Sequence, residues 1–489
     1  MTDTAAWPPN GALAARGAHL PMAEPGRAAA TLALAGRAAA RPEAPSVLLL
    51  GCGAGDTPAL LAACGADVTV IEPHGPAAAA AAALLAAADL PGRVIHAPFH
   101  AAGDLGIAPF DHAAMAQGWS DAPDPDRDAI AALMGARLRA GGAFFVLHAV
   151  MPGGAEDMAL RQLARAAWAR TDPGLPAGPR AIAALAVLED ALPACHLLLR
   201  AHNGFEAEMD AIRALPPELA AERWFAAIRR PEGVTALGRR LRAAGLRDLA
   251  PADPMRLARD LDLTAEGAAL VDRPSAWPAD PSEAAFVAAE LSDLATRRAM
   301  RADLLLKSAP SAPDPARAGA VLLRRMTGVE AALATPLVGF LGPHAAARAG
   351  YAPVLEAVPE DRAVALSEVA AAAGLTLGVA ARRVAALIGQ GALAPAATVG
   401  HAARIAGPCA RLNAVLAQGG AEGWLVAPAL GGAIRVGAAA MGVLAAVRPD
   451  RACPSDSPKA AAPLASDGPL GREMSRLGLL GIAPGAATA

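Results

Sequence analysis

The stretch LLLGCGAGDTP, residues 48–58, decides the fold. A short apolar run stops at Gly51, glycines recur at Gly53 and Gly55, and an Ala- and Leu-rich segment follows. An apolar run ending at glycine reads as a parallel strand buried on both faces. Glycines at that point free the backbone to turn sharply and let a ligand approach it. A dinucleotide loop would carry its third glycine where Asp56 stands, and an acid there opposes a pyrophosphate. A P-loop is excluded, because no Gly-Lys-Ser/Thr follows. The G-x-G-x-G spacing suits a nucleoside cofactor without phosphates, its amino-acid part lying across the first loop.

Working outward, strand and helix signals alternate. ADVTVIEP (66–73) and RVIHAPF (93–99) read as the second and third strands, FDHAAMAQG (110–118) as the fourth and GAFFVLHAV (142–150) as the fifth. Helical segments at 56–65, 75–92 and 126–142 separate them, so the chain is an α/β protein with a Rossmann-like, doubly wound parallel sheet. Ligands of such sheets lie beyond the carboxyl ends of the strands, where the strand order switches. Glu72 ends the second strand, where a carboxylate can accept hydrogen bonds from two ribose hydroxyls.

The rest divides by composition. Residues 1–45 read as a lead-in with one helix over 27–40, and 46–255 as the sheet domain with a helical insertion from 155. That domain would return to the sheet at CHLLLRAH (195–202) and RAAGLRDLAPAD (242–253). Residues 256–345 read as helical, broken by KSAPSAPDPA (307–316). Residues 346–489 read as a winged-helix-like module. There LSEVAAAAGLTLGVAARRVAALIGQGAL (366–393) gives helix, turn, helix and hairpin, with Ser367 as N-cap, before a polar, Pro-rich tail.

The bulk numbers exclude several functions. The 489 residues are too many for one core, and the net charge of -3 offers no global attraction to nucleic acid or anionic lipid. The second helix of the 366–393 stretch offers only Arg382 and Arg383, which favours protein contact or interdomain packing over DNA binding. Cys52, Cys64, Cys195, Cys409 and Cys453 are scattered, without metal spacing, as expected of a reducing compartment. The start MTDTAAWPPNGALAARGAHL lacks the pattern of a secretory signal, and no run reads as a membrane span. The expected address is the cytoplasm.

On the glycine loop, IEP (71–73) and their strand context, residues 46–150 resemble the class I S-adenosylmethionine-dependent methyltransferases. The family's acid two residues before the first glycine, which helps hold the cofactor's methionine end, is Leu49 here. No acid occurs around residues 98–100 to meet an adenine. From Phe110 onward the chain is similar to a narrower group, bacterial methyltransferases with a C-terminal regulatory region, some of which methylate protein lysines. Phe110, Asp111, Trp119, Ser120, Pro123, Arg127 and Asp128 carry that likeness, followed by Gly141, Gly142, Val146, Pro152 and Gly153 and by TRRAMRADLLLK (296–307). Ala116–Gln117, His148-Ala149-Val150 and Gly154 depart from the group's motifs on the substrate side.

The resemblance implies S-adenosylmethionine as cofactor, with Gly51, Cys52, Gly53, Gly55, Glu72, Pro73, Phe99 and Gln117 facing it. It implies a protein acceptor, with methyl transfer to a lysine side chain. Trp119 and His148 are the catalytic candidates. An aromatic wall to an acceptor channel stands beside a core tryptophan as readings of Trp119, and a proton acceptor beside a hydrogen-bonded histidine as readings of His148. The alternative function is a catalytically weakened or inactive relative that keeps the fold as a binding or scaffold partner.

Overall fold

The computed structural model describes residues 19–38, 42–53, 55–195, 205–226, 229–273, 281–308, 313–418 and 423–436, together with Met474, Leu477 and Leu479. Helix α1 (Pro25–Leu34) precedes strand β1 (Ser46–Leu50). Then come α2 (Asp56–Ala63), β2 (Asp67–Glu72), α3 (Gly75–Ala87), β3 (Arg93–His96), β4 (Phe110–Met115), α4 (Asp124–Arg137) and β5 (Leu138–Ala149). The alternation read from the sequence is therefore present. Strand β6 (Asp248–Pro251) and strand β7 (Met300–Leu306) complete a seven-stranded sheet of order β3-β2-β1-β4-β5-β7-β6. Strand β7 runs antiparallel to both β5 and β6, while the pairs among β1–β5 are parallel.

Both faces of the central strands are covered, which is why these are largely apolar, while the edge strand β3 (RVIH) stays partly exposed. Side chains alternate along each strand. Val47, Leu49, Val70, Phe145 and Leu304 therefore join the core on the α2 side. Leu48, Leu50, Ile71, Phe144 and Leu305 join the other, under α4 and the helices Val234–Ala243 and Pro281–Thr296. Gly238 lets those last two helices meet, because a Cβ there would stand 2.4 Å from the Phe286 ring.

The insertion after β5 has a core of its own. Helices α5 (Glu156–Ala169), α6 (Ala177–Ala191) and Phe205–Arg213, with the turns up to Ala226, bury Leu160, Leu188, Met209 and Trp224 together. Trp168 stacks on Phe225 with ring centroids 5.9 Å apart. Of CHLLLRAH, only Cys195 is described, closing a short 3-10 turn; the strand expected there lies outside the described residues, as do residues 1–18 and the Pro-rich tail with Cys453.

Residues 256–345 are not helical throughout, which corrects the sequence reading. Besides β7, they supply β8 (Leu322–Arg325), β9 (Leu337–Gly339) and β10 (Gly342–His344). The Leu304–Leu306 run looks like the continuation of a helix when read locally, but its partners are distant in sequence. Beyond them, β11 (Val364–Ala365), the helices Leu366–Ala372 and Leu377–Gln390, and β12 (Leu393–Pro395) form the winged-helix-like unit. Strand β12 pairs with β8 rather than closing a local hairpin. Ser367 lies inside the first turn, since the helix starts at Leu366 with Ala365 as its cap.

Helix α1 joins the units. Its Ala28 and Leu32 enter the core of the sheet domain, and Ala30, Ala33 and Leu34 enter that of the winged-helix-like unit. A further helix, Val399–Ala417, lies on α2, and the hairpin of β13 (Gly423–Ala427) and β14 (Gly432–Val436) follows it. Asn413 holds that hairpin by donating to the Val426 carbonyl at 2.9 Å and accepting from its N–H at 2.8 Å. Among the described residues no single helix is long and apolar enough to cross a membrane.

Candidate functional site

The carboxyl ends of β1 and β2 carry the glycine loop. Gly51, Gly53 and Gly55 have φ of 84°, 57° and 95°, all in the left-handed region. At Gly55 space adds to the requirement, because a Cβ would lie 3.0 Å from the backbone nitrogen of Ala81 in α3. The loop is tied to the sheet by the Gly51 N–H, which donates to the Ile71 carbonyl at 2.9 Å.

Glu72 organises this loop. One carboxylate oxygen, Oε2, accepts from the Cys52 N–H at 2.7 Å and from the Cys52 thiol at 3.2 Å. The other, Oε1, accepts from the His74 N–H at 2.8 Å. The side chain is buried, as is Cys52, and burial followed by the Glu72 charge pushes the thiol far above its ordinary range. A carboxylate has about four acceptor positions, so three internal donors leave one, on Oε1, for an outside group. Glu72 is therefore a loop clamp as well as a candidate for one ribose hydroxyl.

The other residues expected at a cofactor are placed as follows. Pro73 is exposed, its carbonyl 3.1 Å from His96 Nε2. Gln117 is half-buried just past the end of β4, whereas Phe99 is buried in the core beside α4. Leu49 is buried between Val70 and Ala114 on the neighbouring strands. Two further groups stand near the loop, of which His19 escaped the sequence reading. Asp56 Oδ1, at the start of α2, is buried without a hydrogen-bond partner. His19 lies fully inside, its Nε2 2.7 Å from Glu24 and its Nδ1 3.4 Å from the Thr57 hydroxyl. An acid does reach residues 98–100, from α4: Asp126 accepts from the His100 N–H at 3.0 Å.

On the acceptor side the expectations meet a closed surface. Trp119 is fully buried, donates through Nε1 to Glu232 at 2.7 Å, and meets Phe144 edge to face. Arg127 bonds the carbonyls of Trp119 and Ser120, and the Ser120 hydroxyl accepts from the Ala149 N–H at 2.7 Å. Trp119 is thus buried and knits the β4–α4 loop to Phe144 on β5 and to Glu232.

His148 is equally sealed. Its Nε2 lies 3.0 Å from Asp303, and its buried Nδ1 has no partner. Burial raises the Asp303 pKa, but Arg301 and His148 outweigh it and hold the carboxyl below its ordinary value. Arg301 donates to Asp303 at 2.7 Å and to Asp293 at 2.9 Å. His148 is thus fully buried and hydrogen-bonded to Asp303.

No family model matches the chain, and none of the curated proteins compared with it does. Its fold is similar to that of PKMT2 from Rickettsia typhi, over 87% of this chain and 86% of that one, with a TM-score of 0.57 at 14% sequence identity. A structure of the same protein in complex with AdoHcy gives a TM-score of 0.56 at 15% identity over the same shares. At such identity the likeness establishes the fold, which is that of the class I methyltransferases.

Proposed function

We propose that the chain is an S-adenosylmethionine-dependent methyltransferase acting on a protein side chain, with lysine as the acceptor type. The observation that carries this reading is the left-handed glycine loop clamped by Glu72 at the carboxyl ends of β1 and β2. The residues present fit such a cofactor: Glu72 Oε1 keeps an acceptor position for a ribose hydroxyl, Gln117 borders the same edge, and Asp56 Oδ1 is a buried acceptor awaiting a donor. The bound cofactor would supply an electrophilic methyl on a sulfonium, open to in-line displacement by a neutral amine.

The chain's own task is then alignment, which in such reactions supplies much of the rate. The clamped loop fixes where the nucleoside lies, and the end of β5 with the insertion bounds the acceptor side. A lysine acceptor, with an ordinary pKa of about 10.4, must lose its proton before attack. With His148 sealed, that proton would leave to solvent before the acceptor docks. The cysteines at 52, 64, 195 and 409 are free, which agrees with the cytoplasmic address that belongs to the same proposal.

Titration calorimetry with S-adenosylhomocysteine, joined to methyl incorporation into lysate proteins from labelled cofactor, tests the reading. Binding together with incorporation supports it; absence of binding at millimolar concentrations ends it. The second reading, a non-catalytic partner, is favoured by one observation, the burial of both Trp119 and His148. Binding without incorporation would select it.

A further inference from the structure

A cavity of about 340 Å³ lies at the end of the sheet opposite the glycine loop. Pro45 before β1, Ala66 before β2 and His112 near the start of β4 contribute to its lining. Three units meet around it: the sheet domain with α1, the winged-helix-like unit through Leu322 of β8 and Ala396 after β12, and the β13–β14 turn at Gly431. Small molecules bind preferentially at such junctions. The lining includes Glu43, whose side chain is 78% exposed, so solvent reaches the cavity.

The lining selects for charge. Each of its carboxylates has an arginine of its own: Glu24 pairs with Arg27 at 3.0 Å, Glu43 with Arg404 at 3.0 Å and Asp111 with Arg139 at 2.9 Å. Its two imidazoles are neutral at pH 7, because burial brings His112 down to about 4 and burial, followed by Arg404, lowers His401. No charge is left unbalanced, and an ion entering would lose its water without a partner to replace it. Hydrogen-bonding capacity does remain. His112 Nε2 donates to the Ala23 carbonyl at 2.9 Å, so Nδ1 holds a lone pair and is an acceptor. Arg27 spends Nε on Glu24 and Nη2 on the Ala433 carbonyl, while its Nη1 bonds no group among the described residues. Leu32, Leu61, Leu322 and Leu430 make much of the remaining wall apolar.

We infer that this cavity binds a neutral, largely apolar small molecule bearing one group that both donates and accepts a hydrogen bond, of the carboxamide kind. The site is separate from the proposed cofactor, and its test is independent of it. Full-length protein is titrated by ligand-observed NMR with benzamide, benzoate and benzylamine, which are similar in size but neutral, anionic and cationic at pH 7. Benzamide should saturate with a Kd of about 1 mM, and the two ions should bind at least about tenfold more weakly. S-adenosylhomocysteine should not displace it. Ala396→Phe, which fills the cavity from a half-buried position on its wall, should raise the benzamide Kd at least about tenfold.

The amides of Ala396 and Ala397, bonded to the Leu322 and Ala429 carbonyls, report where benzamide sits. In the wild type they should exchange about tenfold more slowly at a benzamide concentration of about ten times Kd. Failure to saturate by about 10 mM, equal binding of all three molecules, or displacement by S-adenosylhomocysteine would each overturn the inference. So would wild-type affinity in Ala396→Phe, or unchanged exchange at Ala396 and Ala397. Should the variant fail to fold, the wild-type exchange decides.

Discussion

Replacing Glu72 by alanine removes the acceptor of three donors at once, the Cys52 and His74 N–H groups and the Cys52 thiol. The Cys52 N–H lies in a buried residue under a carboxylate only 6% exposed, so it is left unpaired rather than returned to water. A buried donor without a partner costs about 1–3 kcal/mol, and bonds to a carboxylate belong to the stronger half of that range. The chain has several separate cores, so a single unfolding free energy is ill defined and the readout must be local. Hydrogen exchange supplies it.

At about tenfold per 1.4 kcal/mol, the Cys52 amide in Glu72→Ala should exchange roughly 30- to 140-fold faster than in the wild type. The Gly51 amide, bonded to the Ile71 carbonyl instead, serves as the internal control and should change by less than about threefold. Glu72→Gln keeps one carbonyl oxygen but turns an NH2 toward one of the donors, so its effect should fall between. Unchanged exchange at Cys52 in Glu72→Ala would refute the clamp. The ribose role would then have to stand without it, as a loss of cofactor affinity in the same variant.

Burial, opposed by a 2.9 Å bond to the Ala23 carbonyl, lowers the His112 pKa from 6.5 to about 4. Because the folded value is the lower one, this contribution is complete above pH 6.5 and is lost as pH falls toward 4. It is worth about 3 kcal/mol in all, and exchange of the β4 amides should follow it and flatten in His112→Gln. In Gly238→Ala the new Cβ meets Phe286 at 2.4 Å; overpacking of about 1–3 kcal/mol should outweigh the roughly 1 kcal/mol of helix propensity gained. Faster exchange of the amides in the helices Val234–Ala243 and Pro281–Thr296, partly restored by Phe286→Leu, is the expected outcome. Asp262→Asn leaves Arg256, Arg298 and the Phe340 N–H short of their shared carboxylate. A loss of about 3–5 kcal/mol is expected, read as faster exchange in the β9–β10 hairpin with little change in β3.

What the sequence disclosed and what it hid differ by distance along the chain. Strands β1 and β2 declare themselves locally, as short apolar or β-branched runs bounded by glycine, proline or an acid. Strands β3 (RVIH) and β4 (FDHAAM) carry charged and histidine side chains and are the weaker signals. The glycine loop and Glu72 are legible for the same reason: spacing within some twenty residues carries them. Strand β7 is not, because Leu304 and Leu305 find their partners on β5, and only the fold brings Phe145 and Phe144 beside them. The second use of Glu72 was hidden too. A carboxylate at a strand end looks free to meet a ligand until the Cys52 and His74 N–H groups are seen to converge on it.

The least legible feature is a line of buried charge. Arg256, Asp262, Arg298, Asp293, Arg301 and Asp303 are spread along residues 256–303, and no local spacing marks them as partners. Folded, they form consecutive ion pairs from Arg256–Asp262 through Arg298–Asp293 to Arg301–Asp303, and the line ends on His148. At its other end the Phe340 ring sits between Arg256 and Arg298, 4.8 and 4.7 Å from their guanidinium carbons. None of these charges could be buried alone, because desolvating one costs several kcal/mol that only its neighbours return. The line therefore forms as a unit or not at all. It fastens the turn after β9 to the end of β5 through electrostatics that apolar periodicity cannot announce. Removing a middle member such as Asp293 should consequently disturb Arg298 and Arg301 together, and a double substitution with Asp262 should cost less than the two single losses added.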